Sequence, residues 1–237
     1  MSARILPNLH NLVFVSLNRE FIRLASETFP DATVCDKNVN TIETRGTAFV
    51  SPANSFGFMD GGIDAAYRRM FPECEETVKR AIAGIGQHTN RGRPYLRVGS
   101  VLWQHVKSGG TYLITAPTMF LPHDVSRTQN AYWAMRAALL AFDRIQFMSP
   151  QTTRLVVPSL CCGWGGMRPA VSISQIRRAL RDHALGAVPL TMEVQGMYYL
   201  LLPSRDHEQP SNCDNREIGV PWPATESPEE KSVWITK

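Results

Sequence analysis

The stretch "FVSPANSFGFMDGGIDAAYRRMF", Phe49 to Phe71, begins as a buried β-strand, breaks at Pro52, crosses a polar, glycine-bearing turn and ends as an amphipathic helix. An asparagine, two adjacent glycines and an aspartate between a strand end and a helix start suit a polar, anionic small molecule. Glycines let backbone N–H groups approach a ligand closely, and the helix that follows adds its positive end.

Working outward, the flanking elements alternate in the manner of an α/β domain. Residues 11–17, 47–54, 154–160 and 197–203 read as strands, with a short strand in "DATVCD" and two more around the Ser108-Gly109-Gly110 turn. The 47–54 run is continuously apolar, as expected of a strand buried on both faces. Helices are expected over 19–29, through Tyr67, over 73–85, in "TQNAYWAMRAALLAFDRI", and in "SISQIRRALRDHAL". In the fourth of these, Tyr132, Met135, Leu139 and Phe142 form one apolar face.

The chain has 237 residues, 43% of them apolar and 19% charged, and carries a net charge of +4. That is enough for one large globular domain. There is no apolar run of membrane-spanning length and no signal-peptide pattern, so neither membrane association nor secretion is expected. Five cysteines without Cys-x-x-Cys spacing suit a reducing, intracellular compartment, cytoplasmic or nuclear, and the scattered histidines give no metal site. Residues 204–237 carry seven acidic and four basic side chains, leaving +7 on residues 1–203. The expected organisation is a globular domain over 1–203 and a flexible or surface-draped tail over 204–237. The basic body favours anionic ligands, but its Lys and Arg are dispersed, so nucleic acid is not expected as a partner in its own right.

A second glycine-bearing loop, "CCGWGGMRP" (Cys161 to Pro169), follows the 154–160 strand. In an open α/β sheet, ligands bind beyond the carboxyl ends of strands, where both loops lie. Phosphate or diphosphate is the natural occupant of such a pair.

These residues carry a family resemblance. "VSPANSFGFMDGGID" resembles the signature of macro domains, the ADP-ribose-binding modules, and "VVPSLCCGWGGMRP" is similar to their second loop. The strand "TYLITAPTM" and the helix after it fit the segment between the two, so that the likeness spans roughly residues 10–203. It implies a three-layer α/β/α fold, a mixed sheet flanked by helices on both faces, that binds ADP-ribose or an ADP-ribosylated macromolecule and needs no cofactor or metal.

By position, the resemblance implies that Asn54 hydrogen-bonds the distal ribose hydroxyls. It implies that Gly61, Gly62 and Ile63 pass close to the ribose and diphosphate, with Ser51 at the motif's first asparagine. Asp64 would orient the distal ribose or an attacking water, which makes Asp64 and Asn54 the candidate catalytic pair. Cys162, Gly163, Trp164, Gly165, Gly166 and Met167 would wrap the diphosphate through main-chain N–H groups. Asn40 would read the adenine amino group, with Asp36 as the other candidate. The departures are Ser51 for asparagine, Pro52 for a small residue, Asp60 for the first glycine, and Gly165 where an aromatic packs on the distal ribose.

The implied activity is hydrolysis of a group from that ribose: a mono-ADP-ribosyl link, an acetyl ester or a terminal phosphate. The first alternative is a non-catalytic reader of ADP-ribosylated partners. A second comes from "CGWGGMR", which has the Cys-x-x-Gly-x-x-Arg spacing of cysteine-dependent phosphatases, with Cys162 as nucleophile and Arg168 on the phosphate.

Overall fold

The computed structural model describes residues 9–183 apart from 86, 87 and 90, together with the strand backbones at 190–194 and 197–201. The expected tail at 204–237 lies outside the described residues. In chain order the elements are β1 (Leu12–Val15), α1 (Arg19–Thr28), β2 (Thr33–Cys35), β3 (Thr47–Ser51), α2 (Gly62–Met70) and α3 (Cys74–Gly84). There follow β4 (Ser100–Lys107), β5 (Thr111–Thr115), α4 (Asn130–Met148), β6 (Arg154–Pro158), α5 (Pro169–His183), β7 (Leu190–Val194) and β8 (Met197–Leu201).

The strands form one mixed sheet in the order β2-β1-β6-β3-β5-β4-β8-β7. From β2 to β5 all neighbours are parallel, whereas β4, β8 and β7 are added antiparallel. The alternation of side chains along each strand produces the layers. Leu12, Phe14, Ala48, Val50, Leu155 and Val157 face α1, α4 and α5. Val13, Val15, Phe49 and Val156 face the opposite way, onto Tyr67 and Phe71 at α2. Leu102 meets Val78 and Ile82 of α3 on that same side. The chain is therefore α/β, with helices on both faces of a mixed sheet.

Three details differ from the sequence reading. The strand expected over 47–54 stops at Ser51, because Pro52 has no N–H to give the ladder; Asn54 makes only an isolated bridge to Met119. In α4, thirteen of nineteen residues are buried, so the helix is enclosed rather than two-faced, and its many alanines allow that close packing. Strand β7 was not expected at all; it pairs with β8 in the register Leu190 to Leu201. Among the described residues, no helix is long and apolar enough to cross a membrane.

Candidate functional site

A cleft of about 510 Å³ opens at the carboxyl ends of the parallel strands. One wall is the loop between β3 and α2. Asn54 shapes it: Oδ1 accepts from the N–H of Phe56 at 2.9 Å and of Phe58 at 3.4 Å. Gly57 adopts φ +74°, and a Cβ there would stand 2.7 Å from Val78 Cγ1, so only glycine lets the loop seat against α3. Glu75 of α3 accepts from the Met59 N–H at 3.3 Å and from Lys79 Nζ at 2.7 Å. Burial works against the Glu75 charge, but Lys79, the Met59 N–H and Arg68 outweigh it and hold the carboxyl below its ordinary range.

Helix α2 enters the cleft with Gly61 at its N-cap and no side-chain cap. Its first N–H groups, on Gly62, Ile63 and Asp64, are therefore available to an anion. Asp64 itself lines the cleft. Its Oδ1 accepts from Ser51 Oγ at 2.6 Å, and Oδ2 has no protein partner among the described residues. Burial pushes the Asp64 carboxyl from 3.8 up to about 7; the Ser51 hydrogen bond resists this, and the charges of Asp60 and Glu75 add to it. The residue is half-buried and lines the cleft, and desolvation of its carboxyl is the largest of these effects.

The second wall is the loop between β6 and α5. Cys161 takes a left-handed conformation, φ 63°, and folds the chain so that Met167 N–H reaches the Cys161 carbonyl at 3.0 Å and Gly166 N–H the Gly163 carbonyl at 3.0 Å. Cys162 N–H is likewise bonded, to the Ser159 carbonyl at 3.1 Å. Those three donors are taken up inside the loop. The N–H groups of Gly163, Trp164 and Gly165 have no partner among the described residues, and all three residues line the cleft. Successive unpaired N–H groups in such a turn form an anion-binding concavity.

Gly165 has no room for a side chain: a Cβ would lie 2.6 Å from Val125 Cγ2 and 2.7 Å from the Cys161 carbonyl oxygen. The aromatic of this loop is instead Trp164, 75% exposed, with its indole Nε1 3.6 Å from where a Gly61 Cβ would stand. The two walls thus meet at Gly61 and Trp164.

Of the residues expected at the site, the cleft brings together Asn54, Gly61, Gly62, Ile63, Asp64, Cys162, Gly163, Trp164 and Gly165. Ser51 and Met167 are buried behind it, and Gly166 is not among its lining residues. Asn40 is exposed and Asp36 is exposed, and neither lines the cleft. The 3₁₀ turn at Val39–Thr41 buries Val39 and turns Asn40 away, while Lys37 and Asn38 line the cleft in their place. Sequence reasoning also passed over Ser16 and Asn18 at the end of β1, and Arg69 on α2. The β1 end carries no glycine loop to flag it; its position at a parallel strand end was the available signal.

The phosphatase geometry finds no support. The Cys162 thiol donates to the Leu160 carbonyl at 3.4 Å, burial pushes it up to about 11, and Arg168 is exposed outside the cleft. Among the described residues, no group of three or more His, Cys, Asp or Glu side chains could hold a metal ion.

No family model matches the chain.

Proposed function

We propose that the cleft binds ADP-ribose or a close derivative and that the protein hydrolyses a group from the distal ribose, with Asp64 as its acid–base residue. In this reading the diphosphate rests on the N–H groups of Gly163, Trp164 and Gly165, opposite the uncapped start of α2. The distal ribose lies by Asn54 and Asp64, and the nucleoside extends toward Asn38. Ionised Asp64 takes a proton from water as the water oxygen attacks, and protonated Asp64 returns it to the departing oxygen.

The observation that supports this most is the meeting, in one cleft, of two arrays of N–H donors without partners among the described residues and a carboxyl that burial raises to about 7. Donors of that kind suit a diphosphate, and a carboxyl that titrates near 7 suits proton transfer at neutral pH. Calorimetry with ADP-ribose, set against AMP and inorganic phosphate, tests the ligand. The expected affinity is micromolar, about −8 kcal/mol, and Gly163→Val abolishes it by placing a side chain in the open space above that residue. No heat with ADP-ribose at high micromolar protein sinks the proposal. Binding without turnover of a mono-ADP-ribosylated protein, or of acetylated or phosphorylated ADP-ribose, reduces it to a reader.

A further inference from the structure

We propose that Ser51 is a positioning residue for Asp64, its buried hydroxyl fixing which carboxyl oxygen faces the cleft. The inference rests on Asp64 being the reactive carboxyl of the hydrolase proposed above. It reassigns the position at which the chain departs from the motif it resembles.

Ser51 closes β3, fully buried, and its backbone is fixed on the sheet: it pairs with Thr115, and its carbonyl accepts from Ala116 N–H at 2.9 Å. Since Val50 points to the α4 side, alternation sends Ser51 to the α2 side with Phe49. There its single O–H meets Asp64 Oδ1 at 2.6 Å, the length of a charge-assisted O–H···O⁻ bond. A donor held by a strand to an acceptor held by a helix fixes the carboxyl plane and leaves Oδ2 for the cleft.

Among the described residues, no other neighbour takes over that task. The Tyr67 hydroxyl donates to the Val50 carbonyl at 3.1 Å. Arg68 and Lys79 are drawn to Glu75. Asp60 and Glu75 repel a charge on Asp64, and the Cys74 thiol, pushed up to about 11 by burial, stays neutral. Ser51 is thus the hydrogen bond that favours the ionised, correctly turned carboxylate against burial and two like charges.

The test follows the Asp64 carboxyl by NMR in the full chain labelled with ¹³C-aspartate, its signal assigned by its loss in Asp64→Asn. Ser51→Ala, which removes one buried oxygen, is expected to raise the titration midpoint by about one pH unit. Ser51→Thr keeps the hydroxyl and is expected to return the midpoint toward wild type. The acid limb of kcat moves with the midpoint in Ser51→Ala, while calorimetric affinity for ADP-ribose is unchanged. An unmoved midpoint in Ser51→Ala overturns the proposal, as does an equal shift in Ser51→Thr, which would trace the effect to packing. A moved midpoint with an unmoved pH profile confines Ser51 to a structural role and overturns it too. Should wild type bind no ADP-ribose, the hydrolase reading fails on that result alone, and the titration still decides whether Ser51 controls Asp64.

Discussion

Replacing Asp64 by asparagine is expected to make the protein more stable at alkaline pH, whatever it does to activity. The folded state raises the carboxyl from 3.8 to about 7, so between those values the native chain binds a proton that the unfolded chain has released. By linkage, the stability associated with this group is fully present below about pH 4 and is lost as pH rises through about 7. Rather more than three pH units at 1.36 kcal/mol each sets an upper bound of about 4 kcal/mol. Asparagine keeps an oxygen for the Ser51 hydroxyl and carries no charge to desolvate. Urea unfolding of wild type and Asp64→Asn at pH 5 and pH 8.5 measures the difference. The variant gains up to about 4 kcal/mol over wild type at pH 8.5 and less than half of that gain at pH 5. An equal difference at both pH values, or a loss at pH 8.5, refutes the assignment of a desolvated, raised carboxyl.

Other perturbations follow from the same walls. Gly165→Ala drives a Cβ against Val125 and the Cys161 carbonyl; it costs about 1–3 kcal/mol by thermal melting and, by displacing the N–H array, weakens ADP-ribose about tenfold in calorimetry. Asn54→Ala strips the acceptor from the Phe56 and Phe58 N–H groups, costs about 1–3 kcal/mol, and lowers binding and turnover together. Cys162→Ser leaves any ADP-ribose-directed activity intact. With a thiol at about 11, only about one molecule in ten thousand is thiolate at pH 7, so alkylation by iodoacetamide is slow; fast alkylation with loss of activity would revive the cysteine nucleophile.

What could be read from the sequence was whatever depends on near neighbours in the chain. The apolar runs "LVFV" and "RLVVP" gave strands whose two faces now lie in different cores, and Gly61, Gly62 and Asp64 announced a helix start, which the structure places at the cleft. Position along the chain did not give direction in space. Counting back from β3 led to Asn40, but a single 3₁₀ turn presents Asn38 and Lys37 to the cleft instead. At position 165 the sequence showed only that glycine stands where the resemblance places an aromatic; the reason is Val125, forty residues away in the chain, which leaves no room for one there. The Ser51–Asp64 contact depends on how α2 is rotated on the sheet, which no local pattern encodes. Strand β7 is short, and its β propensity shows only once β8 offers it an edge.

Both walls of the cleft are fastened from outside it, the first to α3 through Gly57 and Glu75, the second to Val125 through the Gly165 carbonyl. Leu17 and Trp164, 70% and 75% exposed at the rim, take no part in that fastening. On the proposed function, selection can alter the rim, and with it the choice of substrate, without loosening the mould proposed to grip the diphosphate. Relatives that process different substrates would then vary at positions 17 and 164 while keeping 57, 75 and 165.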